Sequence, residues 1–176
     1  MRNHLILSLV MLCAAPALAQ SPFDEVKKAA GEVKQAAGPG VTKEVEKQVN
    51  AKLTSEARKN QCSFKSDSDE LAPGCDSKLK KLADALVDAK QKLTAAGVAA
   101  YKFEVSGHTD SSGKAEHNKE LSGKRAAVIA KELVKRGVPE KDIISVGMGS
   151  ERPLVTPDNT PAKKAKNRRY EIQVRL

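Results

Sequence analysis

Along Ala100–Ser106 (AYKFEVS) apolar and polar residues alternate, with Tyr101, Phe103 and Val105 on one side of a period of two. That pattern predicts a half-buried strand. The alternation stops at Gly107, and Ser111, Ser112 and Gly113 make a loop. A helical period takes over from about Asn118: Leu121, Val128 and Leu133 are spaced for one face, and Gly137 stands where a helix closes on a C-terminal glycine. Asp110 therefore sits on a loop at a strand's end, and Arg125 two turns into the next helix. A helix leading away from that loop can bring the two charges to one mouth.

The same reading extends both ways. Leu79, Leu82, Leu86 and Leu93 predict a helix that Asp76 or Ser77 can cap and Gly97 ends. After the central helix, Ile143–Met148 (IISVGM) reads as a short buried strand, with Gly147 and Gly149 flanking Met148 where the backbone turns or approaches a neighbour. Glu151–Pro161 holds Pro153, Pro157 and Pro161 and reads as a loop. Ala162–Arg169 predicts one or two helical turns, and Tyr170–Leu176 (YEIQVRL) alternates as a closing strand. There is no internal repeat.

Met1–Ala19 has a basic start at Arg2, an apolar run from Leu5 to Leu12 and small residues ending Ala17-Leu18-Ala19. This is the layout of a cleavable export signal, with cleavage expected before Gln20. A lipoprotein signal ending at Cys13 is the alternative, but Leu12 stands where that signal has a small residue. The apolar run is too short to span a bilayer comfortably, and no second stretch is long enough for a membrane helix. Residues 20–58 read as a helical extension or linker, rich in Ala, Lys, Glu and Gln and divided at Gly38-Pro39-Gly40. Val41, Val45, Val49, Leu53 and Ala57 recur every fourth residue after the break, and Thr42 can cap their helix. The extension is expected to be a spacer or a helix packed on the domain, with docking to another envelope protein as the sharper alternative.

Composition changes this picture in three ways. The chain has 176 residues, enough for one domain plus an appendage, and no Trp, so aliphatic side chains and Ala must fill the core. The net charge of +9 suits an acidic polymer or surface, although scattered lysines also serve solubility alone. Cys62 and Cys75 are the cysteines left beyond the export signal, and an even pair in an oxidising compartment is expected to form a disulfide; two separate thiols are the alternative.

The motif Gly107-His108-Thr109-Asp110, then Gly113, Asn118, Leu121-Ser122 and Arg125-Ala126, then Gly147, Gly149, Pro153 and Asn167-Arg168-Arg169 before a closing strand, resembles the OmpA-like C-terminal domain. That module is shared by outer-membrane porin tails, peptidoglycan-associated lipoprotein and flagellar stator proteins. The match covers residues 59–176. The resemblance implies an α+β fold of order βαβαββ, with a mixed four-stranded sheet and two long helices on one face, preceded here by the helical extension. It also implies a strand within Gln61–Leu71, where Phe64, Asp67, Glu70 and Leu71 fit the frame and Ser66 departs from a usual aromatic.

The resemblance further implies non-covalent binding of peptidoglycan in the periplasm, in association with the outer membrane or wall. The recognised group is the meso-diaminopimelate of stem peptides, which presents an ammonium beside a carboxylate. Asp110 can accept from the ammonium, and Arg125 can fork onto the carboxylate as a Lys cannot. Thr109 and Asn118 are expected to fix the loop, Leu121 to wall the pocket, and Arg169 to pair with Asp110 or Asp67 or to serve as a structural ion pair. The alternative function is an interaction module of the envelope with weak or no wall binding. No cofactor, metal site, catalytic residue or nucleic-acid partner is expected. His108 with Asp110, or Glu116 with His117, could be imagined as a hydrolase pair, but no nucleophilic Ser sits in a G-x-S-x-G turn. Cys62, Cys75, His108 and His117 match no standard zinc spacing.

Overall fold

The computed structural model describes residues 38–176. Its elements in chain order are α1 (Pro39–Lys59), α2 (Asp76–Ala95), β1 (Lys102–His108), α3 (Ala115–Lys135), a 3-10 turn (Glu140–Asp142), β2 (Ile143–Gly147), α4 (Pro161–Asn167) and β3 (Arg169–Arg175). The export signal, Cys13 and the first half of the extension lie outside the described residues. Among the described residues no helix is long and apolar enough to cross a membrane.

The strand order is β2-β1-β3. β1 runs parallel to β2, with Phe103 opposite Ile143, and antiparallel to β3, with Val105 opposite Ile172. The fold is α+β with a mixed sheet, as expected, but the described sheet has three strands rather than four. Gln61–Leu71 makes only an isolated bridge, Phe64 to Leu71. The run is polar, and Asp67 adopts a left-handed φ of 47°, which breaks extension.

Helix α1 covers the edge of β3 that this strand would have paired. Asn50 donates from Nδ2 to the Val174 carbonyl at 3.2 Å and accepts the Val174 N–H at 2.6 Å. Gln61 does the same for Tyr170, donating to its carbonyl at 2.8 Å and accepting its N–H at 3.1 Å. Two side-chain amides thus satisfy edge groups that cannot be buried unpaired.

One core holds the layers together. Phe103, Val105, Ile172 and Val174 meet Val49, Leu53 and Ala57 of α1, Leu79, Leu82, Leu86 and Leu93 of α2, and Ala126, Ile129 and Leu133 of α3. The α2 stripe is the one the sequence shows. The α3 stripe agrees only at Leu133: the core face is Ser122, Ala126, Ile129, Ala130 and Leu133, whereas Leu121 and Val128 are only partly covered. The apolar Leu121 turns to a cleft, and small residues take the sheet side.

Glycine explains why small residues are needed there. A Cβ on Gly107 would collide with the Ser122 carbonyl, and one on Gly147 would sit 2.6 Å from the Gly123 nitrogen. Backbone therefore packs on backbone where α3 crosses the ends of β1 and β2. Ser122 completes the junction by accepting the Gly149 N–H at 2.8 Å.

Both long helices α2 and α3 end in the same paired motif. Gly137 (φ 100°) donates to Val134 and Val138 to Leu133; Gly97 and Val98 repeat it on Thr94 and Leu93. The starts differ from expectation by a few residues. α1 begins at Pro39 with Gly38 as N-cap, three residues before Thr42, and α2 has Cys75 rather than Asp76 or Ser77 at its cap.

Cys62 and Cys75 are free thiols in the structure, both buried, rather than the bridged pair expected. The Cys62 Sγ lies 4.0 Å from the Cys75 carbonyl oxygen. Burial pushes the Cys62 thiol up to about 12, with its contact to Cys75 adding to the rise. Thiolate, the form that attacks a disulfide, is therefore scarce at this position.

Candidate functional site

The close packing of α3 on β1 and β2 sets the first half of that helix beside the loop that follows β1. An open cleft of about 1180 Å³ forms there. Asp110, Thr109, Asn118, Leu121, Arg125 and Arg169 all line it. The six residues singled out in the sequence therefore border one cavity.

Asp110 is fixed from two sides. One carboxylate oxygen accepts the Ser112 N–H at 2.9 Å, and the other accepts from Arg168 Nη1 at 2.7 Å. Burial pushes this carboxyl up, but the bonds from Arg168 and Ser112 outweigh it and hold it below the usual carboxylate value. Asp110 is thus charged at neutral pH.

Arg125 reaches the same cleft from α3 and grips its opposite wall. Its Nε donates to the Ser68 carbonyl at 2.8 Å and its Nη2 to the Lys65 carbonyl at 3.3 Å. The guanidinium rests over the Phe64 ring, 5.1 Å from its centroid. Burial lowers its pKa, Asp67 offsets part of that, and Arg168 adds repulsion. Asp110 and Arg125 do not form a direct salt bridge among the described contacts. Nε and Nη2 each give one hydrogen to the 65–68 segment, so Nη1 and the second Nη2 hydrogen are what remain of the fork expected from sequence.

The loop carrying Asp110 is pinned by four elements. Asn118 on α3 donates to the Ser112 carbonyl at 2.8 Å. Lys164 on α4 donates to Ser112 Oγ at 2.7 Å. Asp158 accepts the Ser111 N–H at 2.9 Å and its hydroxyl at 2.5 Å, and these bonds draw its carboxyl down to about 2. Asn167, fully enclosed, donates to Asp158 at 3.0 Å and accepts the Leu154 and Val155 N–H groups. Thr109 anchors the loop's start through its N–H to the Gly149 carbonyl at 2.9 Å.

Three of these roles are not visible in the sequence reading. The residue paired with Asp110 is Arg168, not Arg169. Arg169 lies in β3 and pairs with Glu171 at 2.7 Å, the structural ion pair expected as its alternative role. Strand alternation carries that signal: with Tyr170, Ile172 and Val174 inward, Arg169 and Glu171 share the other face. Asp158 and Ser111 lie 47 positions apart, and no local pattern links them.

His108 sits at the end of β1, 3% exposed. Neither ring nitrogen has a hydrogen-bond partner among the described residues, and the Glu171 carboxylate is 3.8 Å away. Burial, with Arg169 nearby, lowers its pKa to about 4 against the pull of Glu171. Between pH 6.5 and 4 the unfolded chain binds a proton here that the native chain refuses, so stability is full above 6.5 and declines as pH falls. Unfolding in urea should show a loss of about 2 kcal/mol from this group between pH 7.5 and 5. His108→Gln should flatten that slope; an unchanged slope would remove His108 as its source. Among the described residues, no group of three or more His, Cys, Asp or Glu could hold a metal ion.

The fold has solved counterparts. The peptidoglycan-associated lipoprotein of Burkholderia pseudomallei superposes with a TM-score of 0.51 at 26% identity, over 64% of this chain and 86% of that one. The C-terminal domain of Helicobacter pylori MotB gives 0.53 at 23% identity, over 66% and 84%, a likeness of fold. Residues 63–168 match the model of the OmpA family. That is more than half of the sequence, and the chain belongs to the OmpA family.

Relatives by sequence include the peptidoglycan-binding protein ArfA of Mycobacterium tuberculosis, 44% identical over 70 residues, 40% of this chain and 21% of that protein. Outer membrane porin F of Pseudomonas fluorescens is 46% identical over 76 residues, 43% and 23%. The outer-membrane lipoprotein YfiB of Pseudomonas aeruginosa is 32% identical over 111 residues, 63% and 60%. The matched stretches span only about a fifth of ArfA and of porin F. None of these relatives bears an enzyme's name.

Proposed function

We propose that this chain binds peptidoglycan non-covalently in the cell envelope, and that its cleft takes the zwitterionic end of diaminopimelate in a stem peptide. The observation that carries this reading is the shared cleft: a charged, two-sided Asp110 and a desolvated Arg125 border one opening. The ligand's ammonium would share Asp110 with Arg168. Its carboxylate would meet Arg125 through Nη1, with Arg168 as a second cation at the mouth. Leu121 offers an apolar wall for the methylenes. Membership of the OmpA family and the names of ArfA and the Burkholderia lipoprotein support the same substrate class.

On this reading the 1–19 segment serves as an export signal that delivers the protein to the periplasm, and the 59–176 module is its wall-binding part. A small ligand held by one pocket binds in the weak to micromolar range, so retention depends on the density of stems. Co-sedimentation with protein-free sacculi should therefore capture the protein, and excess free meso-diaminopimelate should release it. Capture that the free amino acid leaves unchanged would favour adhesion by the scattered lysines, and no capture would favour an interaction module.

A further inference from the structure

The cleft is larger than one amino-acid side chain needs. Its volume of about 1180 Å³ exceeds the range of roughly 300–1,000 Å³ common for small-molecule pockets. It runs from Asp110 past Arg168 and Tyr170 to the last turns of α1, where Thr54 and Arg58 line it. Ala165 and Lys166 line it from α4.

The charges along this arm are unbalanced. Arg58 and Lys166 have no hydrogen-bond or ion-pair partner among the described residues. Arg168 spends one nitrogen on Asp110 and has no other partner there. Glu171 is the acid that lines this part of the cleft, and Arg169 already neutralises it at 2.7 Å. The arm is therefore an elongated, cationic continuation of the Asp110 mouth.

We infer that Arg58 and Lys166 form a second anion subsite that takes another carboxylate of the same stem peptide. This inference rests on the diaminopimelate reading of the mouth. The chemistry names the carboxylate. A glutamate joined through its γ-carboxyl next to diaminopimelate keeps its α-carboxylate free, one residue along the stem. Arg58 lies outside the stretch matching the OmpA family, residues 63–168, so this arm is a feature of the α1 extension.

The test is calorimetric titration of the full chain with three probes: free meso-diaminopimelate, the tripeptide L-Ala-γ-D-Glu-meso-diaminopimelate, and that tripeptide amidated at the glutamate α-carboxylate. The acid tripeptide should bind about tenfold more tightly than the amino acid, the gain expected of one charge-assisted contact. Amidation should erase the gain. The double variant Arg58→Gln, Lys166→Gln should erase it too, while leaving the free amino acid's affinity unchanged; both side chains are exposed, and the fold does not use them. Equal binding of acid and amide tripeptides would overturn the subsite and leave the mouth assignment standing. Absence of binding by all three probes would overturn both.

Discussion

Asp110→Asn should lower binding to insoluble peptidoglycan by about two orders of magnitude, the usual loss when one partner of a desolvated charge pair is removed. Asn keeps the size of the side chain and can still accept the Ser112 N–H that Asp110 accepts at 2.9 Å. What it removes is the negative charge that an ammonium requires and that Arg168 now shares. Asp110→Ala should lose as much binding and also loosen the loop, since Arg168 and the Ser112 N–H are left without their partner. Arg125→Ala should act similarly from the other wall. Arg125→Lys should rescue little, because an ammonium cannot reproduce the contacts to the Ser68 and Lys65 carbonyls that aim the guanidinium. Circular dichroism should remain native for Asp110→Asn. Full retention on sacculi by both the Asn and the Ala variants would remove these two residues from the site.

A chain beginning at Lys59 should fail to fold cooperatively, although it retains every residue of the family motif. α1 contributes Val49, Leu53 and Ala57 to the shared core, and a single buried Leu reduced to Ala costs about 2–5 kcal/mol. Removing the helix strips all three at once and exposes the α2 and β3 surfaces they cover. It also removes the Asn50 amide that satisfies Val174. The sum approaches the whole stability of a domain this size, about 5–15 kcal/mol. Thermal unfolding followed by circular dichroism checks it. A sharp transition at the full-length temperature would return α1 to the role of a spacer.

The sequence makes some of this legible and hides the rest for physical reasons. Local periodicity exposes β1, β2, β3, α2 and the existence of α1, because each needs only its own pattern to be recognised. The position of Asp110 at a strand's end and of Arg125 on the following helix follows from the same kind of reasoning. The pairing of Gln61 with Tyr170 and of Asn50 with Val174 does not, because amide side chains that stand in for a strand leave no periodic trace. That is why a fourth strand is expected and a helix edge is found. Likewise Leu121 reads as core by spacing, yet Gly107, Gly123 and Gly147 draw the small-residue side of α3 against the sheet and leave Leu121 to the cleft. Arg168 precedes the strand proper, so its aim at Asp110 depends on where β3 begins, a boundary that shifts by one or two residues in any local reading.

The central claim is that one zwitterion occupies the opening between Asp110 and Arg125. Backbone amide shifts measured by NMR during a titration with free meso-diaminopimelate test it most directly. Saturable shifts centred on Ser111, Ser112, Asn118 and the 65–68 segment are expected, and their loss in Asp110→Asn. Shifts confined to another surface, or none at millimolar ligand, would contradict it.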